Sequence, residues 1–323
     1  MKKGAYMNDR HALVAGGAGF VGSHLCTRLL DMGYGKVTCL DNLSTGRLSN
    51  IEDLMDNPRF VFIQGDVTER IGIGEEISEI YNLACPASPE QYRKNPVGTF
   101  KASVIGSINL LELAHDRKAR ILLASTSEVY GDPQIPIQDE SYHGNVNPYG
   151  TRSCYDEGKR GAETLFHDYH HTLGVDTRII RIFNTYGPHM STDDGRVVSN
   201  FIVQALRREP LTIYGDGSQT RSFQYISDLI DAMTAVMRDG VTHSPINIGN
   251  PNETTIGDLA RMIIQMTGSS SELTYHPLPQ DDPCRRCPDI SLARRMPGGW
   301  TPGVGLSDGL LKTIEYFRNS PGI

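Results

Sequence analysis

Six short apolar runs recur along the first 184 residues, and helix-length stretches lie between most of them. The runs are HALVAG (11–16), KVTCLD (36–41), FVFIQGD (60–66), EIYNLACPAS (79–88), RILLAST (120–126) and DTRIIRIFN (176–184). Apolar residues at helical spacing fill the gaps, most clearly over 97–116 and 149–173. Near-continuous apolar strands alternating with helices predict a parallel sheet covered on both faces. Crossovers between parallel strands are right-handed almost without exception, so the natural solution is a doubly wound α/β fold. After about residue 185 the rhythm changes. Gly, Pro, Asp and Ser become frequent, as in YGPHMSTDDGR and YGDGSQTRSF. The pattern predicts a main domain over 1–185, with 225–250 returning to it through PINIG, and a smaller interwoven domain made mainly of 186–323.

The first strand-to-helix turn, VAGGAGFVGSHL, carries Gly16, Gly19 and Gly22 three residues apart. Such glycines allow a tight turn, a close backbone approach to a pyrophosphate, and close helix–sheet packing. The helix start then offers unpaired N–H groups and a positive dipole end to phosphates. Asp41 ends the second strand, placed to bind a ribose diol and to repel a 2′-phosphate, which favours NAD over NADP. Phe20 and Val21 in the turn, Asn42, Thr45 and Gly46 after the acid, Asp66 and Val67 ending the third run, and Leu83 in the fourth belong to the same expected cofactor wall.

The second chemical signal is Tyr155-x-x-x-Lys159 in a helical stretch, CYDEGKRGAETLFHDY. Residues four apart share a helix face. A neighbouring lysine favours phenolate, so the expected tyrosine pKa is lowered, and the phenol can take a hydroxyl proton while hydride leaves for NAD. The third signal is STSEVYG (125–131), where a buried strand ends in three hydroxyl residues and a carboxylate. A plain strand exit needs none of these.

Together the three features resemble the extended short-chain dehydrogenase/reductase family, which acts on nucleotide sugars. ACPASPEQYRKNP, STSEVYGDP, NPYGTRSCYDEGKR, RIFNTYGP, DDGRVVSNF, GSQTRSFQYISDL and DDPCRRCPDI resemble its UDP-glucuronate decarboxylase (UDP-xylose synthase) branch. That resemblance implies a Rossmann domain plus a small nucleotide-sugar domain, tightly bound NAD, and transient oxidation at carbon 4 of the sugar. The resulting β-keto acid loses carbon dioxide, carbon 5 regains a proton, and the ketone is reduced. UDP-uronate 4-epimerisation is the alternative, and a non-catalytic nucleotide sensor a remoter one. Tyr155 and Lys159 would act at carbon 4, with Thr126 and Ser127 as hydroxyl donors to its oxygen. Glu128 would stand near carbon 5, driving off the carboxylate by repulsion or orienting a water. Two anions about 4 Å apart repel by ~1 kcal/mol in water and ~4 at an effective dielectric near 20. Arg221 would be the active-site arginine. Tyr92 would meet the sugar carboxylate, Lys101 and Asn109 would face the substrate, and Asn184, Arg196 and Arg286 would contact the UDP. The resemblance also implies a homodimer joined through the helices of 97–116 and 149–173. The chain departs from the family at Ala102-Ser103, usually Thr-Asn, at His189, commonly arginine, and at PGGW, usually LGW.

Charge and composition exclude other classes. The net charge of −7 argues against a nucleic-acid surface, while a few arginines in one cleft still suffice for an anionic small ligand. No apolar run reaches the roughly 20 residues of a membrane span. The opening MKKGAYMNDRHA has no apolar core, so it reads as a short leader and not a secretion signal, which points to the cytoplasm. Of the six cysteines, Cys26, Cys39 and Cys85 are expected in the core, and Cys284 and Cys287 as a lone, exposed pair of free thiols without metal.

Overall fold

The computed structural model describes residues 8–238, 240–278, 285–320 and 322–323. The first half builds β1 (His11–Ala15), α1 (Phe20–Asp31), β2 (Lys36–Asp41), β3 (Phe60–Gln64), β4 (Glu79–Asn82), α2 (Pro89–Tyr92), α3 (Pro96–Arg117), β5 (Arg120–Thr126), α4 (Ser153–Leu173) and β6 (Thr177–Ile182). Next come β7 (Thr185–Tyr186), α5 (Val197–Leu206), β8 (Leu211–Tyr214), β9 (Thr220–Ser222), β10 (Gln224–Tyr225), α6 (Ile226–Val236) and β11 (Ile246–Ile248). The chain closes with β12 (Glu253–Thr255), α7 (Ile256–Thr267), β13 (Leu273–His276), β14 (Arg285–Arg286), α8 (Ser291–Arg295) and α9 (Leu306–Arg318).

Seven strands form one sheet in the order β11-β6-β5-β4-β1-β2-β3, every pair parallel. The order reverses direction between β1 and β4, and in such sheets ligands sit beyond the carboxyl ends of the strands at that switch. This is a Rossmann-like doubly wound fold, as the alternation predicts. The PINIG segment does return, as β11 beside β6. Central strands β1 and β4 are buried at every residue, including the polar His11, Glu79 and Asn82 at their ends.

Some bounds differ from the sequence reading. The fourth run leaves the sheet after Asn82, and its remainder forms cleft wall. α4 begins at Ser153 and not at 149. β1 begins at His11, as the HALVAG run predicts, and residues 1–7 lie outside the described residues. The later segments make three small sheets: β10-β7, β12-β9-β14 and β13-β8. Of these pairings, β14 against β9 matters most, because it carries Arg286 alongside Arg221 towards the end of β5.

Candidate active site

A cleft of about 1380 Å³ runs beyond the carboxyl edge of the sheet. At one end it is built by the turn between β1 and α1. A Cβ on Gly22 would lie 2.1 Å from the Gly16 carbonyl oxygen, so helix and turn can approach this closely only with glycine there. Gly16 itself has φ +81°, and a Cβ on it would press the backbone at Leu83 and Ala84. α1 starts at Gly19 with no side-chain cap, which leaves its first N–H groups directed outward for an anion. Asp41 Oδ2 accepts from the Ala18 N–H (2.9 Å) and Oδ1 from the Leu43 N–H (2.8 Å). Burial pushes its carboxyl up, and those N–H groups work against that. Asp66 is partly desolvated, yet Thr68 and Asn42 hold it below the usual carboxylate range. Gly16, Gly19, Phe20, Val21, Gly22, Asp41, Asn42, Thr45, Gly46, Asp66, Val67 and Leu83 all line the cleft. This uncapped helix start, glycine turn and acid fit a dinucleotide.

The other end gathers α4, the end of β5 and β14. Tyr155 and Lys159 are both buried on the inner face of α4. Lys159 Nζ donates to the Ala124 carbonyl (2.9 Å) and stands 6.0 Å from the Tyr155 ring centre. The expected lowering of the phenol is not what the protein produces. Burial pushes Tyr155 well above the usual phenol range, Cys85 adds to this, and Thr126 only partly offsets it. Lys159 is itself depressed by burial. Cys85 lies on the cleft wall, its Sγ 3.2 Å from Ser103 Oγ, and not in the core with Cys26 and Cys39. Cys287 is buried, not exposed as the sequence suggested, because its N–H donates to Gln138 Oε1 and its Sγ to the Pro251 carbonyl, and Cys284 lies outside the described residues.

The STSEVYG segment divides its labour. Ser125 lines the cleft, but its Oγ is committed to Glu163 Oε1, to which it donates at 2.6 Å. Thr126 Oγ1 accepts the Glu128 N–H at 3.2 Å, shaping the single 3₁₀ turn that follows β5. Ser127 Oγ accepts from Arg286 Nη1 at 3.3 Å. Glu128 is held by two guanidinium groups. Arg286 grips it through both nitrogens, Nη1 to Oε1 and Nη2 to Oε2 (2.5 Å), and Arg152 Nη2 reaches Oε2 at 2.5 Å. Burial alone would raise the carboxyl, but Arg286 and then Arg152 pull it down to about 2.

One expectation, Asn109, is corrected here, and two arginines that do line the cleft show further contacts. Arg286, expected on the UDP, spends its fork on Glu128. Among the described residues, Glu128 therefore takes Arg286 and Arg152, and not Arg221, as its arginines; Arg221 lines the cleft and donates to the Thr220 carbonyl at 2.9 Å. Asn109 does not face the cleft. Two turns along α3 from Lys101, its amide ties down the Val67 (2.8 Å) and Glu69 (3.1 Å) carbonyls. The simple repulsion role for Glu128 also weakens, since two cations compensate its charge.

Tyr92, Lys101, Asn184 and Arg196 do line the cleft. The Tyr92 ring stacks on Tyr155, with centres 5.3 Å apart and planes 6° from parallel. Arg196 is paired with Asp194 (2.5 and 2.8 Å) and lies over the Phe20 ring. His189 bonds Ser23 Oγ (2.9 Å) and stacks on His24. Burial, then His24, lowers it to about 4, so it is neutral at pH 7, unlike the arginine the resemblance implies. Sequence reasoning missed Arg152 and Asp156. Their only signal was position: they flank Tyr155 at i,i+4 spacing at the start of a helix.

Comparisons agree with this geometry. UDP-glucuronic acid decarboxylase 1 of Arabidopsis thaliana is 52% identical over 307 residues, covering 95% of this chain and 69% of that protein. UDP-glucuronic acid decarboxylase 5 of the same plant is 52% identical over 316 residues, 98% of this chain and 92% of that one. Among solved structures, UDP-glucose 4-epimerase of Thermotoga maritima superposes with a TM-score of 0.87 at 29% identity, covering 95% of this chain and 98% of that one. UDP-glucuronic acid 4-epimerase of Bacillus cereus, in complex with UDP-glucuronic acid and NAD, gives 0.84 at 30% identity, covering 95% and 99%. Residues 12–249 match the family model directly, and the chain belongs to the NAD dependent epimerase/dehydratase family.

Proposed function

We propose that this protein decarboxylates UDP-glucuronate to UDP-xylose with no net redox change. The observation that carries the reading is Glu128, ionised and clamped by Arg286 and Arg152 beside Tyr155. A 4-epimerase need only turn and return a ketone, and has no use for a fixed anion near carbon 5. Relatives about 52% identical over at least 95% of the chain carry the decarboxylase name, against 29–30% for the two epimerase structures.

The Gly16–Gly22 turn, Asp41 and Asp66 would hold NAD, which when bound would supply a two-electron acceptor restored by the end of the cycle. Tyr155 takes the proton of the carbon-4 hydroxyl, and Lys159, fixed on the Ala124 carbonyl, steadies the phenolate that does so. Thr126 and Ser127 donate to the carbon-4 oxygen as electrons spread onto it during loss of carbon dioxide. The balance R–COO⁻ + H⁺ → R–H + CO₂ requires one proton at carbon 5. With its carboxyl near 2, Glu128 cannot carry that proton; it orients Arg286 and a water to deliver it.

Incubation of the purified protein with UDP-glucuronate is expected to release carbon dioxide and UDP-xylose. UDP-galacturonate as product would give the case to the epimerase reading. No helix among the described residues is long and apolar enough to cross a membrane. We further propose a homodimer through α3 and α4, which pack on one another, because Val97, Phe100 and Ile105 leave apolar surface exposed along α3. Light scattering after gel filtration should give twice the 35.6 kDa chain mass. The double change Phe100→Asp, Ile105→Asp should halve it, and a wild-type monomer would contradict the proposal.

A further inference from the structure

The mechanism above does not use Asp156, although it is 6% exposed and adjoins the catalytic tyrosine. Its Oδ2 is 4.0 Å from Arg152 Nε, one turn back, beyond hydrogen-bond reach. The same guanidinium gives Nη2 to Glu128 at 2.5 Å. The other oxygen, Oδ1, is buried without a hydrogen-bond partner. Around it stand Glu128 from the turn after β5, Arg286 from β14, Tyr92 from α2, and Arg152, Tyr155 and Glu157 on or beside its own helix. The Tyr92 hydroxyl is likewise buried without a partner.

Two carboxyls thus share one neighbourhood, and Glu128 has the close contacts. An ionised Asp156 would be a buried anion with one bare oxygen and a second anion nearby, which is costly. The neutral acid avoids both penalties. The start of α4 favours the anion but does not outweigh them. Burial first, and then Glu128, raise the carboxyl to about 7 against the pull of Arg152 and Arg286.

We propose that Asp156 is a positioning residue that must hold a proton for this corner of the cleft to accept the carboxylate of the sugar. Protonated, it leaves Arg152 on Glu128. Ionised, it draws Arg152 back along α4 and sets a second negative charge just behind Arg152 and Tyr155, which line the cleft. A UDP-sugar without a carboxylate does not feel the difference. The inference rests on the uronate reading.

The test is calorimetric binding of UDP-glucuronate and UDP-xylose to the NADH-loaded protein, which cannot oxidise the sugar and so does not turn it over, from about pH 6 to about pH 8.5. Affinity for UDP-glucuronate, relative to UDP-xylose, should fall roughly tenfold across this range. Asp156→Asn should hold the low-pH preference throughout. The same slope in Asp156→Asn, or equal slopes for both sugars in the wild type, would overturn the proposal. If Asp156→Asn does not fold, carbon-13 NMR of the wild-type aspartate carboxyls decides: one should titrate near 7, and none titrating above about pH 5 contradicts the proposal. A wild type that never prefers UDP-glucuronate defeats the uronate reading and the specificity claim with it, while the NMR titration still judges the buried proton separately.

Discussion

Tyr155 is buried against Tyr92 and pushed above the ordinary phenol range, so its work as a base depends on Lys159 and on what binds in the cleft. Replacing it with Phe should cut turnover at least ~100-fold, the usual weight of a positioned acid–base group, while UDP binding by calorimetry stays near wild type. Glu128 gives a pH prediction. Its folded carboxyl lies near 2, below the usual 4.5, so its stabilising contribution is full above about pH 4.5 and fades as pH falls towards 2. The stability gap between wild type and Glu128→Gln, measured by denaturant unfolding, should therefore narrow steadily below pH 4.5. A gap unchanged down to pH 3 would show that the clamp is not what holds the charge. The Tyr-Lys pair and the hydroxyl-rich strand end were legible because their chemistry is local in sequence. The partner of Glu128 was not. Arg286 is 158 residues away, and only the β14–β9 pairing brings it across.

At the scale of elements, the end of β5 is fixed from behind. Glu163 on α4 takes Ser125 Oγ (2.6 Å) and both Nε and Nη2 of Arg181 on β6 (3.1 and 2.8 Å). Arg181 reaches Tyr130 Oη at 3.0 Å, and that hydroxyl donates to Asn247 on β11 at 2.7 Å. Four elements are knitted so that Thr126, Ser127 and Glu128 face the cleft without freedom to turn. Glu163→Ala strands a buried guanidinium and should cost about 3–5 kcal/mol of unfolding free energy, with turnover falling as well. A loss under 1 kcal/mol would mean that the network is dispensable. The alternation of strand and helix was readable because burial on both faces forces apolar strands. The stretch after β4 was not. Its apolar letters continue to Ser88, yet they cover cleft wall and not sheet, and periodicity does not distinguish the two.

For the whole molecule, the sheet order and the returning β11 place the dinucleotide turn and the Tyr155–Glu128 cluster along one cleft. Arg47, after β2, also reaches across to Asp193 at 3.1 Å, joining the cofactor end to the segment before α5. The existence of such a cleft follows from the alternation of strands and helices. Its charge pattern comes from segments far apart in the chain, which is why the Glu128–Arg286 pairing and the turn of Asn109 away from the cleft were not legible in the sequence. The account's central claim is that a sugar carboxylate is lost and carbon 5 is reprotonated inside this cleft. Proton NMR of the product formed from UDP-glucuronate in heavy water tests it most directly. The expected product is UDP-xylose bearing one deuterium at carbon 5; a product that keeps its carboxylate, or UDP-xylose with no deuterium at that carbon, would contradict it.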